Sequence, residues 1–409
     1  MTESAPTLKR ALNLPMLVLY GMGTTIGAGI YALVGEIAGV AGDGAPFSFL
    51  IASIIAGFTA CSFAELAGRY PRAAGAALYV QQGFGDPRLG LVVGLLVVLA
   101  GVVSSAALVN GFTGYLQEFV PVQRGLAITG IAMLLGGVAI WGIAESVTAA
   151  ALITIVETGG LLLVVVVGAD AFAALPERWV DFLPGSATAP WAGAFLGVSL
   201  AFYAFIGFED MVDVAEEVKD VQRVLPLGIL LTLGFTTLIY LLLMVSALLA
   251  LPPQDLAQSS APLALLYQHH TGQTPLVIGV IALFAIINGA LIQIIMASRV
   301  LYGLASRGQL PGALSRVSAV TRTPVLATLI VTGLIVVLAL LGRLGGLAAT
   351  TSVIMLSIFT LANLALWRIK ARGRAPAGVI EFPRWFPLVG ALLSAGFVLR
   401  ELLGAWYRL

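Results

Sequence analysis

Charge is what this chain has least of. Asp, Glu, Lys and Arg make up 10% of its 409 residues, against about 25% in a soluble chain. Hydrophobic residues make up 59% and the mean hydropathy is +1.03, so a water-soluble fold would leave many apolar side chains with no core to enter. Cysteine is almost absent. Cys61 stands alone, which excludes an intramolecular disulfide and a cysteine metal cluster. Histidine is limited to the neighbours His269 and His270, which do not face one metal ion well, so no metal site is expected. A Ser/His/Asp set and a phosphate-cradling glycine loop are both lacking, and with them the grounds to expect an enzyme or a cofactor. The formal net charge of +1 gives no reason to expect nucleic acid. No cleavable leader is expected either, because Lys9 and Arg10 run straight into a long apolar segment.

What is present is a series of long uncharged blocks between short charged clusters, the pattern of a polytopic membrane protein. About 20 apolar residues cross the hydrocarbon core as a helix. Read from charge to charge, spans are expected near 14–40, 47–68, 89–117, 125–144, 147–169, 191–215, 226–250, 275–305, 324–342, 346–367 and 386–405, eleven in all. Several begin just after a proline, among them Pro46, Pro226, Pro275 and Pro324, as suits a first helical turn. With the N-terminus in the cytoplasm, sixteen of the 21 Lys and Arg residues fall inside, and five fall outside: Arg124, Arg178, Arg343, Arg400 and Arg408. That bias orients the chain with its N-terminus inside, and an odd span count puts the C-terminus outside. The short loops leave one transmembrane domain over 1–409.

Two spans look unable to keep a continuous helix. The first carries Gly21, Gly23, Gly27 and Gly29 within nine residues at mid-membrane depth. The sixth carries Gly207 followed by Glu209 and Asp210. Close helix packing is the other reading of the glycines, since Gly23 and Gly27 form a small-xxx-small pair, but it leaves the acids unexplained. The breaks open two groups of five spans, 14–169 and 191–367, with 386–405 as an addition. Paired interruptions in two halves point to a secondary transporter, and an odd number of spans per repeat requires the second repeat to be inverted.

The chain also resembles the amino acid–polyamine–organocation (APC) transporters, of the bacterial amino acid permease type. Thr25 to Tyr31 is similar to that family's Ile-Gly-Ala-Gly-Ile-Phe motif. Ser62-Phe63-Ala64-Glu65-Leu66-Ala67 with Tyr70-Pro71 and Gly75 resembles its second-span signature, and Tyr203 to Glu209 its sixth-span motif. Glu216 to Asp220 with Arg223 and Pro226 resembles the following loop, and Ser298-Arg299 with Arg307 to Pro311 the end of the eighth span. The resemblance implies an all-α integral membrane protein with a LeuT-like five-plus-five inverted repeat and broken helices one and six. It also implies amino acid transport across the cell inner membrane. The eleven-span count is one short of the usual family complement.

An interrupted helix exposes N–H groups on one half and C=O groups on the other. The outer half of the first span, starting near Gly27, Ala28, Gly29 and Ile30, suits a carboxylate. The carbonyls near Thr25 and Ile26, and near Phe205, Ile206 and Gly207, suit an ammonium. An α-amino acid presents both groups. Phe202, Tyr203 and Phe205 are expected over the ligand, and the resemblance gives Tyr203 the role of outer gate.

Acids within the membrane are functional candidates by default. Glu157 lies mid-span, where many members of the resembled family hold a lysine in place of a sodium ion. Stranding a charge there is costly, so Glu157 is a candidate proton carrier. Glu209 and Asp210 are further candidates, although acids at a helix start also serve as caps. Asn288 lies near the sodium-like position of the family; an interhelical hydrogen bond is its other reading. Glu65 and Arg69 read as a structural pair one turn apart. The function expected is proton-coupled symport of amino acids, with a polyamine or cationic amine carrier as the alternative because the path is acidic. A channel is disfavoured by the lack of a filter loop or charged ring.

Overall fold

The computed structural model describes residues 12–71, 75–142, 147–183 and 188–406. Among them the chain is all-α, with short 3-10 segments and a lone parallel bridge between Leu12 and Val218. In chain order the helices are α1 (Leu14–Ala41), α2 (Ala45–Arg69), α3 (Gly75–Phe84), α4 (Pro87–Gln117) and α5 (Arg124–Trp141). Then come α6 (Val147–Val167), α7 (Leu175–Arg178), α8 (Thr188–Tyr203), α9 (Val221–Ala250) and α10 (Pro253–Gln258). The last are α11 (Pro262–Thr271), α12 (Leu276–Ser306), α13 (Val325–Leu341), α14 (Leu344–Arg372) and α15 (Trp385–Trp406). A 3-10 segment over Phe208–Glu217 follows α8.

Eight helical stretches are long and apolar enough to cross a bilayer, and a ninth forms if Ala151–Val167 and Ala169–Arg178, bent by 54°, make one span. The chain is therefore a multi-pass membrane protein. The difference from eleven has local causes. The first helix is interrupted at Gly27, which leaves Leu14–Gly27 as a shorter apolar helix, and α13 is also short at 17 residues. Pro226, expected at a helix start, lies inside α9, which begins earlier at Val221. As the sixth residue of the helix it gives up the N–H bond that would reach the Gln222 carbonyl, a loss that membrane helices accommodate.

Helix α1 is the hub, packing against α6, α8, α9, α10 and α12. Around it, α12 lies along α4, α2 along α9, and α14 against α4 and α15. Small residues allow the close approaches. A Cβ on Gly23 would run into the Thr154 hydroxyl of α6, and one on Gly21 would crowd Met211 and Thr232. The packing reading thus holds for the first two glycines of the α1 stretch, but not for Gly27, where an added Cβ meets nothing within 4 Å. Exposed Leu126, Met133 and Leu134 on α5, and Leu392 and Leu399 on α15, present apolar surface to lipid.

At one end of the bundle sits a buried charge cluster of which the expected Glu65–Arg69 pair is only a part. The Glu65 carboxylate is fully buried. It accepts from Arg69 at 2.8 Å, from Lys370 Nζ at 2.7 and 2.9 Å, and from the Phe382 backbone N–H at 3.0 Å. Glu381 accepts from both cations at 3.3 Å, and the bond from Lys370 holds its carboxyl below the ordinary carboxylate range. Removing one of the buried partners Glu65, Arg69 or Lys370 costs about 3–5 kcal/mol because it strands the others. The cluster therefore fastens α2, α14 and the segment before α15 to one another.

Candidate functional site

The first break lies at Gly27, whose φ of −10° and ψ of −140° are not helical. The second lies between the end of α8 at Tyr203 and Phe208, where Ala204, Phe205 and Ile206 make tightened bonds back to Ala201, Phe202 and Tyr203. Gly207 has φ +127°, a conformation open to glycine and strained for L side chains. A Cβ there would collide with the Thr24 carbonyl and lie 2.9 Å from the Thr25 nitrogen. So the two breaks touch: the Thr24 hydroxyl lies 2.9 Å from the Gly207 carbonyl and 3.0 Å from that of Gly21. A second clamp comes from α9. The buried Tyr240 hydroxyl shares its proton between the Thr25 carbonyl at 3.1 Å and the Ala204 carbonyl at 2.8 Å. Its ring packs against Phe49 and Phe205.

Between the breaks is a small cavity of about 40 Å³. Of the residues expected at a ligand site, Thr25, Gly29, Tyr203 and Ile206 line it, together with Asp210, which was expected as a proton group. Ile26 and Ile30 are instead fully buried in the core, and the Ala28 side chain lies outside the described residues. Phe202 and Phe205 also turn away. Phe202 packs on Phe359 at 5.9 Å between ring centroids, and Phe205 on Phe49 and Tyr240. The reason is register: residues three apart share a helix face, so Tyr203 and Ile206 face the cavity while Phe202 and Phe205 face α14, α2 and α9. The Tyr203 hydroxyl reaches Ser104 of α4 at 2.9 Å, and its ring lies against Gly29 of α1.

The four candidate proton groups separate. Glu157 is buried in α6, and Asn288 of α12 donates to its Oε1 at 3.4 Å. Tyr31 of α1 donates to the Glu157 backbone carbonyl at 2.5 Å, and Tyr115 of α4 donates to the Tyr31 carbonyl at 2.9 Å. Glu157 thus sits where four helices are joined by hydrogen bonds. Glu209 acts as a cap, its Oε2 accepting the Gly207 N–H at 2.9 Å. Asp210 alone of the four lines the cavity. No group of three His, Cys, Asp or Glu side chains among the described residues is placed to hold a metal ion.

Sequence reasoning passed over Ser104, Gln293 and Tyr240. Ser104 and Gln293 line the cavity from α4 and α12, and each is a polar exception in a long apolar run. That exception was the available signal. Tyr240 gave none, since a tyrosine in an apolar helix reads equally well as packing.

The chain has known relatives. The family profile of amino acid permeases matches residues 12–402. The cationic amino acid transporter 2, vacuolar, of Arabidopsis thaliana is 31% identical over 88% of this chain, which spans 59% of that protein's length. The branched-chain amino acid permease BcaP of Bacillus subtilis is 28% identical over 97% of this chain and 88% of its own length. The methylthioribose transporter of the same bacterium is 26% identical over the same shares. These relatives are transporters rather than enzymes, and with a profile match across nearly its full length the chain belongs to the amino acid permease family of the APC superfamily.

Proposed function

We propose that the protein is a secondary transporter that carries amino acids across the cell inner membrane by alternating access, coupled to protons. In this reading residues 14–169 and 191–367 are the two inverted five-helix repeats of a LeuT-like fold, with 386–405 an added span, giving eleven. One observation carries the proposal: two helices interrupted at mid-span meet at a cavity lined by Thr25 and Gly29 on one side and Tyr203 and Ile206 on the other. The N–H groups after Gly27 take the substrate carboxylate, and carbonyls of the sixth span take its ammonium. Tyr203, tied to Ser104, closes the outer side. Orientation rests on the Lys and Arg bias, with the N-terminus in the cytoplasm. Reporter fusions at Leu409 and after Arg372 should report opposite sides; the same side for both would remove the eleven-span reading.

A second reading, transport of cationic amino acids, is favoured by Asp210, the only charged side chain among the described residues that line the cavity, and by the Arabidopsis relative named for that substrate class. A thermal-shift screen of the purified protein with L-leucine, L-arginine and putrescine separates these readings, because a ligand bound to the native state raises its apparent stability. Gly29→Val tests the site itself. Its Cβ would lie 3.3 Å from Ala204 Cα and 3.4 Å from the Tyr203 ring, so the neighbours must give by a few tenths of an ångström, and the two further methyls enter the space a ligand needs. Affinity at this site should fall by about 100-fold or more, the equivalent of about 2.7 kcal/mol. Wild-type affinity in the folded variant would sink the assignment.

A further inference from the structure

A second cavity, ten times larger at about 400 Å³, opens at the end of the bundle opposite the Glu65–Lys370 cluster. That volume is in the range of small-molecule sites, about 300–1,000 Å³. Its walls come from the far ends of α1 and α4, the start of α5, the α13–α14 junction and the segment between α10 and α11. Three charged side chains line it: Glu36, Arg124 and Arg343. We infer that this cavity is an amino acid binding site distinct from the one between the breaks, recognising the zwitterionic backbone through Glu36 on one hand and Arg124 with Arg343 on the other. The inference rests on the reading that the protein transports amino acids.

The charges there are not spent on one another. Among the described residues the Arg124 guanidinium is held by neutral acceptors alone: Asn110 Oδ1 at 2.5 Å and the carbonyls of Gly342 at 3.1 Å and Ala339 at 3.4 Å. Those carbonyls end α13, so Arg124, an exposed residue, is held by a helix C-terminus, with no carboxylate partner among the described residues. Arg343 is the residue before α14, whose first N–H groups have no side-chain cap; that positive helix end adds to the same region. Glu36 lies beside the start of α14, close enough that a Cβ on Gly345 would come 2.8 Å from its Oε2. No ion pair among the described residues joins Glu36 to Arg124 or Arg343. A carboxylate and two guanidinium groups that share a cavity without pairing suit a ligand that carries both charges a few ångströms apart. An amine without a carboxylate would meet the two cations, and a simple carboxylate would meet Glu36.

The test counts sites by equilibrium dialysis of the full chain in lipid nanodiscs, with tritiated L-leucine and tritiated L-arginine as separate probes. Wild type should saturate at two molecules per chain for at least one probe. Glu36→Gln and Arg343→Gln should each saturate at one; both residues are exposed, and neither side chain makes a hydrogen bond or ion pair among the described residues that holds the fold. Gly29→Val should also saturate at one, and putrescine should fail to displace the molecule that remains in it. Saturation of wild type at one, unchanged in Glu36→Gln and Arg343→Gln and lost in Gly29→Val, would overturn the second site and leave the transport reading standing. A single site lost in Glu36→Gln but kept in Gly29→Val would keep the outer site and remove the central one. Displacement of the remaining molecule by putrescine would overturn zwitterion recognition, and no binding of either probe would remove both proposals.

Discussion

Replacing Glu157 with Gln should abolish uphill uptake driven by a pH gradient while leaving substrate binding and exchange intact. The substitution changes little else. Glutamine has the shape of the protonated acid and keeps an oxygen for the Asn288 amide, which lies 3.4 Å from Oε1 in the native protein. The bond from Tyr31 goes to the backbone carbonyl of residue 157 and does not depend on the side chain. What is lost is the ability to take and release a proton. A gradient of one pH unit supplies about 1.4 kcal/mol per proton, which is about tenfold accumulation. Proteoliposomes holding the variant should therefore show an accumulation ratio near one, where wild type approaches tenfold. Counterflow, which needs no gradient, should proceed at close to the native rate. Retained tenfold accumulation in Glu157→Gln would move the proton to Asp210, the acid that faces the cavity, or remove proton coupling altogether. Glu209 is the weaker substitute, because its carboxylate is committed to the Gly207 N–H.

Gly207→Ala should be the most damaging single methyl in the protein. At φ +127° an alanine pays backbone strain of about 1–3 kcal/mol. Its Cβ would also press on the Thr24 carbonyl. Relief requires the two breaks to separate, and that loosens the Thr24 and Tyr240 clamps together. The expected outcome is a lower thermal unfolding midpoint and loss of both uptake and counterflow. Gly137→Ala on α5, where an added Cβ meets nothing within 4 Å, serves as the control and should behave as wild type. Native counterflow in Gly207→Ala would show that the break tolerates a side chain and that the geometry around it is not needed for transport.

Much of the site was legible because its signals are local. Glycines clustered at mid-membrane depth, and a glycine followed by two acids in an apolar span, mark backbone that cannot stay helical, and both breaks fall there. Finer placement needed the helix register. Phe202, Tyr203, Phe205 and Ile206 were all plausible around a ligand, but one face of α8 and its continuation carries Tyr203 and Ile206, and the other carries the two phenylalanines into the aromatic core. Glu65 and Arg69 were visible as a pair one turn apart, whereas Lys370 lies 305 positions from Glu65 and joins it only through the packing of α14 on α2 and α15. Tyr240 was hidden for the same reason. Its role depends on two carbonyls that become free only where other helices break.

The N-terminal half of α1, Leu14–Gly27, and the 3-10 segment Phe208–Glu217 are fastened to each other twice. At mid-membrane the Thr24 hydroxyl meets the Gly207 carbonyl. At the far end the Leu12 N–H donates to the Glu217 carbonyl at 3.0 Å, and the Leu12 carbonyl accepts from the Lys219 N–H at 2.9 Å. Two rods pinned at both ends resist splaying apart, so any movement of one would carry the other with it. Leu14–Gly27 is about 21 Å long at about 1.5 Å per residue, so a tilt of about 15° at Gly27 sweeps the far end of the pair through roughly 5 Å. Under the proposed alternating access, a passage to that side would open by the stroke of a single arm pivoting at the glycines, with no need to melt either rod.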